Sequence, residues 1–164
     1  MTKLETIQNK IYDSANNIYI RQLAIWRFKN EKIVFTNGCF DILHRGHVEY
    51  LAQAAQYGTK LIVGLNSDAS IKRLKGDTRP INDWIARAEV LAALQFVDAV
   101  VGFDDDTPKS LIETTKPQYL IKGGDYKAED VVGYNFVKEN GGQTLIIPFV
   151  EGYSTTNTIK KMKE

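Results

Sequence analysis

The sequence predicts an α/β fold, a doubly wound sheet of about five parallel strands with flanking helices. Two observations carry this. Short apolar, β-branched runs alternate along the chain with stretches whose apolar residues recur at helical spacing. The connections are short, and right-handed crossovers of that length wind such a sheet, leaving a ligand crevice outside the carboxyl ends of the strands. The glycine-bearing motifs of the chain fall at those ends.

In chain order, the first thirty residues are polar and poorly periodic until Ile18, Leu23, Ile25, Trp26 and Phe28 supply apolar anchors. They predict a helical extension (1–30) packed on the main domain (31–164) or on a partner subunit. Strand-like runs follow at 33–36, 60–65, 99–103, 118–121 and 144–148. Helical patterns lie between them at 48–57, 85–95, 108–114 and 131–139, with a last one from 155 to the end. Thr107-Pro108 is a good helix start, with a capping hydroxyl and a proline at the first helical position. Residues 66–83 form the longest irregular segment. No internal repeat, low-complexity tract or long linker interrupts this order.

Both histidines of the chain sit three apart in one segment, Phe35-Thr36-Asn37-Gly38-Cys39-Phe40-Asp41-Ile42-Leu43-His44-Arg45-Gly46-His47. A strand ends at Thr36-Asn37-Gly38 and a helix begins near Gly46, so the imidazoles lie in a strand-to-helix turn. A helix start offers unpaired N–H groups and the positive end of a dipole. Glycines at 38 and 46 would let a phosphate approach the backbone. The pattern points to two imidazoles aimed at a phosphate chain.

Other readings compete. Cys39, Asp41, His44 and His47 include metal-ligand types, although a metal site would not need the glycines. The histidines can also be helix caps or hydrogen-bonded core groups. A dinucleotide turn is disfavoured, because G-x-G-x-x-G is absent, as is the G-x-x-x-x-G-K-[ST] loop.

The stretch from Thr36 to His47 resembles the signature of the cytidylyltransferase-like nucleotidyltransferases, with their Gly-x-Phe-Asp and His-x-Gly-His elements. The chain is more closely similar to the heptose 1-phosphate adenylyltransferase family. The likeness lies in Thr36-Asn37-Gly38-Cys39-Phe40-Asp41, Gly64-Leu65-Asn66-Ser67-Asp68, Arg73-Leu74-Lys75-Gly76, Arg79-Pro80-Ile81-Asn82, Lys122-Gly123-Gly124-Asp125-Tyr126 and Glu151-Gly152-Tyr153-Ser154-Thr155-Thr156. It runs from about residue 32 to the C-terminus.

That resemblance implies a Rossmann-like domain that transfers AMP from ATP to D-glycero-D-manno-heptose 1-phosphate, giving ADP-heptose and pyrophosphate. His44, His47 and Lys75 would be catalytic. Thr36, Asn37, Gly38, Cys39, Phe40, Asp41, Gly46 and the histidines would bind nucleotide. Asn66, Asp68, Lys75 and Arg79, on the 66–83 segment, would bind substrate. Their charge could also be a solvated basic loop, but a lid of fixed cations would stabilise the charge spread over a transferred phosphorus. Arg87, on the next helical pattern, would meet the nucleotide phosphates or else snorkel or pair with Asp83 or Glu89.

Two more motifs complete the expected nucleotide site. Lys122-Gly123-Gly124-Asp125-Tyr126 is by itself a turn signal; by resemblance it wraps the nucleotide, with Asp125 accepting from a hydroxyl or amine and Tyr126 stacking on a base. Ser154, Thr155 and Thr156 read first as an N-cap group opening the last helix and, by resemblance, also contact the triphosphate.

Magnesium is expected with ATP, with Asp41 and Asp68 as candidate contributors although no carboxylate cluster marks a dedicated site. The family is often fused to a sugar kinase, for which this chain has no room, so a separate heptose kinase would supply the acceptor phosphate. A homodimer is expected. Transfer of CMP to glycerol 3-phosphate is an alternative, as is a nucleotide-sensing module without turnover.

Composition narrows the classes. At 164 residues and 43% hydrophobic, one domain can bury a real core. Twenty-one basic against 20 acidic residues, net +1, commit the chain to neither nucleic acid nor membrane. One cysteine cannot form an internal disulfide, and no apolar stretch suits a signal peptide or membrane span. A cytoplasmic location is expected.

Overall fold

The computed structural model describes residues 1–14 and 16–163. Their order is α1 (Lys3–Gln8), β1 (Ile11–Asp13), α2 (Asn17–Phe28), β2 (Ile33–Gly38), α3 (Arg45–Ala55), β3 (Lys60–Asn66), α4 (Asp68–Lys75), α5 (Trp84–Ala92) and β4 (Ala99–Phe103). There follow α6 (Lys109–Thr115), β5 (Tyr119–Gly123), a 3-10 turn (Ala128–Asp130), α7 (Tyr134–Glu139), β6 (Gln143–Ile147) and α8 (Thr155–Lys163). Glu164, where the last helical pattern was expected to end, lies outside the described residues.

The strands form one parallel sheet in the order β1-β4-β3-β2-β5-β6. From β2 the chain winds one way through β3 to β4, then returns to build β5 and β6 on the other side. The β2–β3 register runs from Ile33↔Lys60 to Gly38↔Leu65, whereas β2 and β5 register only at Val34↔Tyr119 and Phe35↔Leu120. The crevice opens at this switch point, where the chain reverses its direction of winding.

Alternation along β2 sends Val34 to one face and Ile33 and Phe35 to the other. Val34 joins Leu51, Ala54, Leu61, Val63, Leu91 and Val100 beneath α3 and α5. Ile33 and Phe35 join Tyr19, Leu23, Ile62, Val101, Ile112 and Leu120 beneath α2, α6 and α7. Two cores on the two faces are what a doubly wound sheet requires.

Four local features differ from expectation. A sixth strand, β1, pairs with β4 at the sheet edge, and three residues are too few to show a period. Within the first thirty residues, α2 forms over the expected anchors, but it buries Tyr19, Leu23 and Trp26 and leaves Ile18, Ile25 and Phe28 exposed. The 66–83 segment is not irregular throughout, because Ser67 caps α4 by accepting from the Ser70 N–H. Pro108 stands at the N-cap of α6 rather than inside it, and that cap has no side-chain hydrogen bond. Among the described residues no helix is long and apolar enough to cross a membrane.

Candidate functional site

The histidine turn is built around two aromatic contacts. Phe40 takes a left-handed conformation (φ 43°), and its ring lies where a side chain at Gly38 would sit, 2.9 Å from an ideal Cβ. The same ring meets His47 edge-on at 5.2 Å. Gly46 has an equally local reason: a Cβ there would stand 3.0 Å from Tyr153 Cβ and 3.2 Å from the His44 ring. Both glycines therefore make room for neighbouring side chains as well as leaving the backbone open.

His44 occupies the N-cap of α3, yet its imidazole makes no capping hydrogen bond; its carbonyl receives the His47 N–H at 2.9 Å. The two imidazoles stack at 3.8 Å with 15° between their planes. Burial, then the neighbouring His44 and Lys75, push the His47 pKa down to about 4, and burial lowers that of His44. The Nδ1 atoms of both rings are buried without a hydrogen-bond partner. Buried polar side-chain atoms are mostly hydrogen-bonded, so two orphans side by side in one turn call for a partner that a ligand would supply.

Beside this pair lies a cleft of about 510 Å³ over the carboxyl ends of β2 and β5. Asn37, Gly38, Cys39, Phe40 and His47 line it from the β2 side, Lys122, Gly123 and Tyr126 from the β5 side, Asn66 from the end of β3, and Lys75 and Arg79 from the segment that follows. A smaller recess of about 270 Å³ joins His44, Gly46, His47 and Lys75 to Ser154, Thr155 and Thr156 at the start of α8. Ser154 caps that helix, its Oγ accepting from the Asn157 N–H at 3.4 Å. Burial in the cleft lowers the Lys122 pKa.

Several expected site residues are committed elsewhere. Thr36 is fully buried, and its hydroxyl pairs with Tyr50 Oη at 2.6 Å, so its side chain does not reach the cleft. Asp41 lines the cleft, but its carboxylate accepts from Arg79 Nε at 2.7 Å and from the N–H groups of Ile81 and Asn82. Burial opposes its ionisation, but these hydrogen bonds outweigh that and hold its pKa low. Asp68 accepts from Arg87 Nη2 through one oxygen and from the Trp84 N–H through the other.

Arg87, expected at the nucleotide phosphates, does not line the cleft. Its side chain has no exposed surface, and it donates to the carbonyls of Cys39, Asn66 and Asn82 as well as to Asp68. Asp125 is exposed and lies outside the cleft walls, while Gly124, at φ +125°, packs against Tyr126 and Phe149. The carboxylates do not fit a metal cage, since the oxygens of Asp41 and Asp68 are already engaged by protein donors. Among the described residues no group of three or more His, Cys, Asp or Glu side chains could hold an ion.

Sequence reasoning missed several cleft walls: Tyr50, Leu74, Asp106, Thr107, Pro108, Val132 and Phe149. Phe149, two residues beyond β6, occupies a strand's carboxyl end and was findable on that ground. A separate cavity of about 490 Å³ at the far edge, lined by Tyr12, Trp84 and Phe103, contains none of the histidines or lysines.

Comparison with known proteins agrees with this geometry. A family model described as cytidylyltransferase-like matches residues 35–161. The bifunctional protein HldE of Geobacter metallireducens is 58% identical over 134 residues, covering 82% of this chain and 27% of the relative. That of Campylobacter concisus is 60% identical, with 82% and 28% covered. The chain thus spans little more than a quarter of the length of these relatives. A lipopolysaccharide core biosynthesis protein from Thermoplasma volcanium superposes with a TM-score of 0.60 at 27% identity, over 76% of this chain and 99% of that one. A pantoate-beta-alanine ligase from Francisella tularensis shares the fold alone, with a TM-score of 0.54 at 18% identity over 88% and 75% of the two chains.

Proposed function

This chain belongs to the cytidylyltransferase-like family, and on that premise we propose that it transfers the adenylyl group of ATP to a heptose 1-phosphate, forming ADP-heptose and releasing pyrophosphate. The observation that carries the reading is the stacked His44–His47 pair, neutral by burial and set between Lys75 and the start of α8. The high identity to the HldE relatives supports the choice of heptose and ATP.

An oxygen of the sugar phosphate attacks the α-phosphorus of ATP in line, one P–O bond forms, and the bond to the β-phosphate oxygen breaks. No covalent enzyme intermediate is required, because positioning and electrostatic stabilisation suffice. Each neutral imidazole carries one N–H, which can donate to a phosphate oxygen. Lys75 and the free N–H groups at the start of α8 offset charge on the leaving pyrophosphate. Tyr126 and Phe149, both exposed at the cleft mouth, offer faces for the base.

Magnesium would enter chelated to the triphosphate of ATP. The acceptor would come from a heptose kinase acting upstream, in the cytoplasm where ATP is available. The test is pyrophosphate release by purified protein, with ATP or CTP set against heptose 1-phosphate or glycerol 3-phosphate. Turnover restricted to ATP with the heptose is expected. Turnover with CTP and glycerol phosphate, or nucleotide binding with no turnover in any pairing, would overturn the assignment.

A further inference from the structure

Four segments that converge on the site are joined by one buried side chain. Arg87 Nη1 donates to the Cys39 carbonyl at 2.7 Å, in the turn that leads to the histidines. Its Nη2 donates to the Asn66 carbonyl at 2.9 Å and to Asp68 Oδ1 at 2.7 Å, at the end of β3 and the start of α4. Its Nε donates to the Asn82 carbonyl at 3.1 Å, just beyond the Arg79 segment. With no exposed surface, this guanidinium has given up its hydration for three carbonyls and a carboxylate in fixed directions.

We propose that Arg87 is a positioning residue for the nucleotidyl transfer assigned above, acting through Asp68 and α4 to hold Lys75 opposite the histidine pair. The inference rests on that reading of the site. Helix α4 begins at Asp68 and ends at Lys75, eight residues or about 12 Å at the usual helical rise. A tilt at its first residue is therefore carried along the helix to the ammonium. Other anchors tie α4 to the loop after β4: Ser70 Oγ donates to the Asp105 carbonyl, and Arg73 pairs with Asp106. Arg87 links α4 to the histidine turn, because the same guanidinium holds both Cys39 and Asp68. Misplacement of a reacting group by about 1 Å is enough to cost roughly 100-fold in rate.

A lysine at this position would keep the charge but not the fork that spans three loops. The experiment is a double-mutant cycle between Arg87→Lys and Lys75→Ala, read as kcat and KM for both substrates in the pyrophosphate assay, with long incubations for the slow variants and thermal unfolding alongside. The expected result for Arg87→Lys is a folded protein with kcat down about 100-fold and KM for ATP within about threefold of the parent. In the Lys75→Ala background the same substitution should cost less than about threefold, since there is no ammonium left to misplace. Asp68→Asn should act in the same direction as Arg87→Lys.

An unchanged kcat in folded Arg87→Lys, or losses that multiply in the double variant, would overturn the proposal. If Arg87→Lys does not fold, the Asp68→Asn and Lys75→Ala cycle is read by the same criteria. A parent protein silent with every nucleotide and acceptor pair would end the nucleotidyl-transfer reading and this assignment with it. Multiplying losses in an active parent would end this assignment alone.

Discussion

The imidazoles of His44 and His47 lie face to face at 3.8 Å, closer than two cations would tolerate. At that separation in a partly buried turn, protonating one ring opposes protonating the other, so the pair is neutral in the free protein near pH 7. A bound triphosphate reverses the balance, because nearby negative charge favours the imidazolium. ATP binding between pH 5 and 7 is expected to take up protons. Calorimetric titration in buffers of different ionisation enthalpy measures this, and His47→Gln should reduce the uptake.

The same shift makes stability depend on pH. His47 titrates at about 4 in the folded chain against an ordinary 6.5, so the unfolded chain binds more protons between those values. Its contribution is complete above about pH 6.5 and is lost as the pH falls towards 4. His44, also lowered, acts in the same direction. Urea midpoints of the parent should fall from pH 7 to pH 4.5, and His47→Gln should flatten the fall.

Thr36 and Tyr50 share a buried hydroxyl pair, and of the two only Tyr50 lines the cleft. Thr36→Val keeps the shape and removes the shortest hydrogen bond of the tyrosine hydroxyl, leaving it the Ile121 carbonyl at 3.4 Å and the Gly123 backbone. A loss of about 1–2 kcal/mol in denaturant unfolding is expected, with KM for ATP unchanged. A large KM effect without a stability effect would return Thr36 to the nucleotide site.

Phe149 and Tyr126 flank the cleft as exposed aromatics. If they hold the base, Phe149→Ala should raise KM for ATP about fivefold, equivalent to ~1 kcal/mol of lost stacking, with little change in kcat. Steady-state kinetics on the purified variant decides it.

Lys10 ties the N-terminal segment to the domain, its ammonium donating to the carbonyls of Ala92 at 3.1 Å, at the end of α5, and Val97 at 2.8 Å, just beyond it. Lys10→Met should lower stability by about 1–3 kcal/mol. Hydrogen exchange should rise at Val100, whose N–H is received by the Lys10 carbonyl.

Much of the fold was legible in the sequence because it follows from local periodicity. Runs such as Ile33-Val34-Phe35 and Leu61-Ile62-Val63 are apolar on both faces, and a strand covered by helices on both sides needs that pattern. The spacing of His44, Gly46 and His47 placed both imidazoles in one strand-to-helix turn. The edge strand at Ile11–Asp13 was not legible, since its pairing with Val100 and Val101 is a contact between distant segments.

Ionisable side chains depend on tertiary structure most of all. Arg87 and Arg79 are chemically alike and eight residues apart, yet one is enclosed by carbonyls of other loops while the other lines the cleft. Asp41 looks like a ligand within its motif, but the chain returns forty residues later to occupy its oxygens with Ile81 and Asn82. Which residue types are at hand, and in which turns they stand, follows from the local order of the chain. Which charges face the cleft depends on folding, because a buried charge takes its role from the partners that replace its water, and those come from elsewhere in the chain.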